Sequence, residues 1–339
     1  MNPVEKVDLP LLTDWVSRAE HELLLTVQEE IRRSLANILQ NVRNHEAHNE
    51  LYLDTIQCIN AVPAQAVKFS AVLSERVQQV CFLELQAFLT QYAAEQGDFL
   101  CTQARMEQPG SKAFFQTLNN CRELRKYVQV KDGDRDVLSA AVATLESMEA
   151  FTLKLLKEIV AGMAENRLKK YFKSENREFL LLLHEVKTLF SDVSGYPGLE
   201  TRVMDEVYEL IAHLYLKRLV GTRVRKLRTR WHPEVGPAVT EDVVLLHEVI
   251  SSMAPAVGQR NLLLLEVQDL LEQQDLEATK LTAARMQCDA ASEDLELLPA
   301  LLQWKGLSGA KTRKVLRGLE DLPGSKHRPA SWCCGCIGC

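Results

Sequence analysis

The sequence is poor in aromatic residues, 6% of the chain, and contains no long apolar run. Its purest apolar stretches are Phe179–Leu183 and Leu262–Leu265, far short of the ~20 residues a transmembrane helix needs. The opening MNPVEKVDLPLL lacks the basic start and apolar stretch of a secretory signal. There is no glycine-rich phosphate loop, no G-x-G-x-x-G, no H-E-x-x-H and no G-x-S-x-G. These absences remove the usual marks of nucleotide, zinc-protease and serine-hydrolase chemistry. A non-enzymatic chain with no cofactor, no metal and no small-molecule substrate is the expectation. Strand alternation is missing too, as is any repeat with a period of 20 to 50 residues.

What is present favours helix. Leu, Glu, Ala and Gln are abundant, and all are good helix formers. The chain has 339 residues, more than one compact core usually takes. Hydrophobic content is 46% and charged content 25%, ordinary for a folded protein. A net charge of -6 argues against nucleic acid as a partner of the whole chain, but not against a local basic patch. Five of the nine cysteines, Cys58, Cys81, Cys101, Cys121 and Cys288, are scattered through helical patterns, as buried reduced thiols are.

Apolar residues at helical spacing divide the chain. A first helix is predicted from Thr13 or Asp14, either of which can cap it. A short helix from Leu51 to Ile59 is predicted to stop at Pro63. One very long helix should then run from Ala64 to about Met106, with Gly97 a possible kink. Helices over Lys112–Val128, Asp136–Phe172 and Glu175–Phe190 follow. Thr240 is read as the cap of a later helix, with Glu241 and Asp242 in its first turn, where carboxylates suit the helix dipole. Shorter helices are predicted over 259–273, 275–288, 293–303 and 308–321. The turn at Lys131–Asp134 suggests a boundary. The expected organisation is an N-terminal helical bundle over 1–130, C-terminal bundles over 131–322 and a disordered cysteine-rich tail over 323–339. The fold class is all-α, with long antiparallel helices stacked into an elongated rod.

The stretch from Pro197 to Trp231 reads as one long helix. Val203, Val207, Leu210, Ile211, Leu214, Val220, Val224, Leu227 and Trp231 share a face at ~100° per residue. Toward its end come Lys217, Arg218, Arg223, Arg225, Lys226, Arg228 and Arg230. On the same wheel Arg218, Arg223, Arg225, Lys226 and Arg230 turn away from the apolar stripe, while Lys217 and Arg228 flank it. This run is either a solvated surface or a site for acidic lipid head groups or an acidic partner. Each basic residue near an anionic membrane contributes ~1 kcal/mol. Nucleic acid is a weaker reading, because no aromatics interleave with the charges. Arg167, Lys169, Lys170 and Lys173 form a smaller basic group, explained by the C-terminal carbonyls of its own helix.

Other candidates carry less. His45, Glu46, His48 and Glu50 lack the i, i+4 histidine pair of a helical metal site and read as a polar break. His184, His213 and His247 read as packed or boundary histidines. In the tail, Cys333, Cys334, Cys336 and Cys339 stand beside Trp332 and after Lys326, His327 and Arg328. Palmitoylation, a poorly matching prenylation box, a cramped zinc site and a disordered end without a role all compete there.

The segment Tyr171-Phe172-Lys173-Ser174-Glu175-Asn176 through Phe179–Leu183 resembles the C-terminal half of the exocyst complex component 3 family, which includes the exocyst component 3-like proteins and M-Sec. The resemblance extends through Val207–Leu219, Leu297–Leu302 and Thr312–Leu319, and in order and spacing along most of residues 10 to 322. It rests on the whole run, since each stretch is only an apolar-plus-basic helical pattern. The resemblance implies a rod of stacked helical bundles and a non-enzymatic tethering or scaffold protein of exocytosis, binding exocyst subunits and SNARE proteins. It implies a cytoplasmic location, peripheral at the plasma membrane or secretory vesicles. A membrane-remodelling factor like M-Sec, binding phosphoinositides through the Lys217–Arg230 surface, is the alternative. Family members are longer, and this chain is expected to lack their N-terminal coiled-coil and helical portion. The cysteine-rich tail has no counterpart in the resemblance.

Overall fold

A computed structural model describes residues 9–43, 50–131, 135–173, 177–191, 195–196, 198–223, 225–227, 235–257, 262–289 and 296–320. Among the described residues the regular structure is helical and no strand occurs, as the apolar periodicity requires. The chain forms two compact units, Met1–Leu156 and Lys157–Cys339, which divide inside one long helix. The Lys131–Asp134 turn therefore falls within the range of the first unit.

The first unit contains α1 (Leu9–Arg43), α2 (Leu51–Ala66), α3 (Ala71–Ala104), α4 (Lys112–Gln129) and the start of α5 (Arg135–Tyr171). Its core brings together Ile31 and Leu35 of α1, Ile59 of α2, Leu85 of α3, Leu124 of α4 and Leu145 of α5. Burying each such side chain contributes ~1.5–3 kcal/mol before the entropy of ordering it is counted.

Three sequence expectations need correction here. Thr13 and Asp14 do not cap α1, because both lie inside a helix that is already formed at Leu9. Pro63 does not end α2, which continues to Ala66. A proline lacks only its own N–H, and the Pro63 carbonyl still accepts from Val67 N–H at 3.0 Å and from Ser74 Oγ at 3.1 Å. The long helix expected from Ala64 breaks instead at residues 67–70, where extended Ser70 takes the Leu73 N–H on its hydroxyl at 3.4 Å and starts α3. Gly97 sits inside α3 beside the Phe151 ring of α5, which lies 3.6 Å from where a Cβ would be.

The second unit contains the end of α5, α6 (Arg177–Leu189), α7 (Leu199–Val220), α8 (Val235–Met253), α9 (Leu262–Glu272), α10 (Leu276–Asp289), α11 (Leu298–Lys305) and α12 (Gly309–Glu320). Gly198 enters α7 at φ +76, a conformation that only glycine adopts freely. α7 is not the single helix expected from Pro197 to Trp231, since it ends at Val220. α8 begins at Val235, so Thr240 lies one turn inside it and is not its cap. The Thr240 hydroxyl donates to Gln268 of α9. Asp242 is likewise no first-turn carboxylate but a buried residue of the second core.

Candidate interaction surfaces

The basic run begins on the last turn of α7 and continues past its end. The Gly221 N–H donates to the Lys217 carbonyl at 3.2 Å, and the Thr222 N–H to Leu219 at 3.0 Å. The Thr222 hydroxyl donates to the Arg218 carbonyl at 2.9 Å. The Thr222 carbonyl accepts the Trp304 indole N–H of α11 at 2.7 Å. A side chain 82 residues away thus holds the chain just past the end of α7. A new turn opens at Arg223, whose carbonyl accepts the Lys226 N–H at 2.8 Å, and Leu227 is completely buried.

This break redistributes the charges. Lys217, Arg223, Arg225 and Lys226 are exposed and Arg218 is half-buried. Lys217, Arg218, Arg223 and Arg225 form no ion pair among the described residues. Arg228 and Arg230 lie outside the described residues, as do Val224 and Trp231. The next residue on α11 anchors a second helix end. Lys305 donates its ammonium to the carbonyls of Leu270 and Gln273 at the end of α9, and burial lowers its pKa. Trp304 and Lys305 thus fix the turn that carries the basic residues to the neighbouring helices.

α12 adds basic charge that the sequence reading did not single out. Thr312, Val315 and Leu319 are buried, while Lys311, Arg313, Lys314 and Arg317 are exposed. The i, i+3, i+7 spacing of the buried set was the available signal. Arg167, by contrast, is not a spectator at a helix end. It pairs with Glu178 at 2.8 Å and with Glu185, joining α5 to α6 and raising its pKa.

A groove of about 590 Å³ runs between α3 and α5 in the first unit. Ala93, Gly97 and Cys101 line it on α3, and Ala143, Ser147 and Phe151 on α5. Each set repeats at i, i+4, so Ala93, Gly97 and Cys101 form a row of small side chains on α3, while the α5 row is small at Ala143 and Ser147 and closes on the Phe151 ring. Small residues leave a channel where two large rows would interlock. Gly97 was read as a possible kink and Cys101 as a buried thiol, and the groove they share was missed, although the small row on an otherwise bulky helix was legible.

Beneath the surface of the second unit lies a polar knot. Tyr171 of α5 and Tyr215 of α7 donate their hydroxyls to the same oxygen of Asp242, at 2.5 and 2.6 Å. Phe172 and Phe179 surround them, with ring centroids 5.2 to 5.6 Å from one or both tyrosines. Burial raises the Asp242 carboxyl to about 6, against the pull of the two hydroxyls. Burial and the adjacent carboxylate raise both tyrosines. The knot ties three helices together, and its enclosure gives no room for a substrate.

The remaining candidates do not converge. His184 is exposed, His213 half-buried, and His247 meets Ser251 at 3.3 Å. No cluster of three potential metal ligands occurs among the described residues. Cys81 and Cys121 are buried thiols, and burial lifts Cys81 to about 12 and Cys121 in the same direction. Cys58 and Cys101 are half-buried. His45, His48 and the tail cysteines Cys333, Cys334, Cys336 and Cys339 lie outside the described residues. No described helix is long and apolar enough to cross a membrane.

The described residues form long helices in two units, with a groove between α3 and α5. The structure matches the crystal structure of M-Sec with a TM-score of 0.67 at 17% identity, over 90% of this chain and 56% of that one. It matches the C-terminal domain of the exocyst subunit Sec6p with a TM-score of 0.63 at 10% identity, over 94% of this chain and 92% of that one. In fold, then, the chain is an M-Sec-like, exocyst-type helical domain, and it spans little more than half the length of the M-Sec chain. No family sequence model matches it, and no curated protein sequence matches it significantly.

Proposed function

We propose that this chain is a non-enzymatic scaffold of the exocyst-tethering type, acting in exocytosis by binding exocyst subunits and SNARE proteins. Its likeness in fold to the Sec6p domain over 94% of its length supports this reading. The groove between α3 and α5 is the receiving surface. A partner helix laid along the rows of Ala93 and Ala143 meets small side chains at Gly97 and Ser147 and is bounded by Phe151. The chain works in the cytoplasm, peripheral to the plasma membrane or secretory vesicles.

Affinity capture from cell extract, with the full chain as bait and mass spectrometry as readout, tests this. Exocyst subunits or SNARE proteins are expected on the wild-type bait and lost from a Ser147→Arg bait, which fills the groove. Recovery of neither class by the wild-type bait overturns the scaffold reading. Equal recovery by both baits moves the binding surface away from the groove.

A second reading, membrane remodelling through phosphoinositide head groups, is favoured by Lys217, Arg223 and Arg225, which are exposed and free of ion pairs among the described residues. It requires sedimentation with acidic liposomes that weakens with salt and disappears in an Arg223→Glu/Arg225→Glu variant. Equal sedimentation with neutral liposomes argues against it.

A further inference from the structure

Thr222 lies within the basic run, just past the end of α7 at Val220. Lys217 and Arg218 precede it, and Arg223, Arg225 and Lys226 follow it. Lys217, Arg223, Arg225 and Lys226 are exposed, while Arg218 and Thr222 are half-buried. The Thr222 hydroxyl donates to the Arg218 carbonyl at 2.9 Å, so it is bonded within its own turn rather than to a neighbouring helix.

Other hydroxyls in basic sequence are placed differently. Ser34 follows Arg32 and Arg33, but it lies in the middle of α1 and is hydrogen-bonded to the Cys58 thiol of α2. Thr312 stands between Lys311 and Arg313, but it is inside α12 and 2% exposed. Of these hydroxyls Thr222 alone lies outside a helix. Protein kinases select substrates by charge pattern and take the acceptor from extended chain. A threonine at a helix break, with cations on both sides, meets both demands.

We propose that Thr222 is a phosphorylation site for a basophilic protein kinase, and that its phosphate switches off the attraction of the basic run to an anionic lipid surface. The switch rests on the second reading above, in which Lys217, Arg223 and Arg225 meet acidic head groups. In the transfer the Thr222 Oγ attacks the γ-phosphorus of ATP. The new P–O ester bond forms as the bond to the ADP oxygen breaks, ADP leaves, and the hydroxyl proton passes to the kinase's catalytic base. The product carries about −1.5 to −2 charge at neutral pH. This charge stands beside Arg223 and one turn from Arg218, where it offsets the cations that would hold the lipid. Esterification also removes the hydroxyl donor, so the Arg218 carbonyl loses its bond. An anion at the C-terminal end of α7 opposes the helix dipole as well. Both effects loosen the turn that carries Lys217 and Arg218.

Two measurements on the full chain test the switch. Protein kinase C with magnesium ATP is the modifying probe, mapped by mass spectrometry, and phosphate is expected on Thr222. Liposomes of phosphatidylserine and phosphatidylinositol bisphosphate are the lipid probe, read by sedimentation. The unmodified chain should pellet. The phosphorylated chain should bind roughly 10- to 30-fold more weakly, the effect of about 1.5–2 opposing charges. Thr222→Glu adds a single charge and should weaken binding about 5-fold. Thr222→Val should bind as the wild type does, before and after kinase treatment. Phosphate on other residues with Thr222 left bare overturns the site. Phosphate on Thr222 with pelleting unchanged overturns the switch and leaves the lipid reading standing. An unmodified wild-type chain that does not pellet overturns the lipid reading itself, and the switch falls with it.

Discussion

The two units bury carboxylates in opposite ways. In the first, Glu84 and Glu149 are 6% and 4% exposed, and each is met by a guanidinium. Arg32 reaches Glu84 at 2.8 and 3.0 Å, and Arg125 grips Glu149 at 3.0 and 3.3 Å. In the second, Asp242 is 8% exposed and is met by two tyrosine hydroxyls, with no cation among its hydrogen-bond partners in the described residues. A guanidinium cancels the charge as well as supplying donors. Hydroxyls supply donors only, so desolvation wins at Asp242 and its pKa rises. The first unit's burial is charge-balanced, while the second's costs free energy whenever the carboxyl is ionised.

The sharpest test of this contrast is Arg125→Ala. It removes the guanidinium that meets Glu149 in the core, and the first unit should lose about 3–5 kcal/mol in chemical denaturation. A loss under 1 kcal/mol would mean that water already reaches that carboxylate. Next comes pH. The folded Asp242 pKa of about 6 lies above its ordinary 3.8. Between those values the folded state holds more protons than the unfolded one. Stability of the second unit should therefore fall as pH rises from 4 through 6 and level off above, a swing on the order of 3 kcal/mol at most. Asp242→Asn should flatten that dependence. Hydrogen exchange in α7 and α8 measures it, and an unchanged slope in the variant would assign the effect elsewhere. Tyr215→Phe removes one donor from the ionised carboxylate and should cost about 2 kcal/mol at pH 7. That cost should shrink at pH 4.5, where the carboxyl is largely protonated. The smallest effect belongs to Arg32→Lys, which should barely move the same denaturation midpoint, because Arg32 is half-exposed and Gln28 still donates to Glu84 at 2.6 Å.

The contrast also bears on what could be read from the chain. Glu149 and Asp242 are both carboxylates in helical patterns, and nothing local distinguishes them. Asp242 follows Thr240, a good capping residue, so the local reading placed it in a first turn. Its burial comes from Tyr171 and Tyr215, 71 and 27 residues away. The same limit applies to the basic run. Lys217 through Lys226 were legible as a charged surface, because charges away from an apolar stripe meet water. The break after Val220 was not, and Trp304, whose indole meets the Thr222 carbonyl there, comes 82 residues later. The α3/α5 groove sits between the two. Its small rows at Ala93, Gly97 and Cys101 were visible, but their facing Ala143 and Ser147 needed the fold.

By itself the sequence determined that the chain is helical and which residues face inward, because a 3.6-residue period and the cost of exposing apolar surface act locally. Val27, Ile31 and Leu35 follow from that alone. Only the tertiary structure decided where helices stop and which described carboxylates are buried against a cation and which against hydroxyls. Those outcomes depend on groups distant in sequence that reach the same place, and hydrogen bonds and desolvation are settled only where those groups meet.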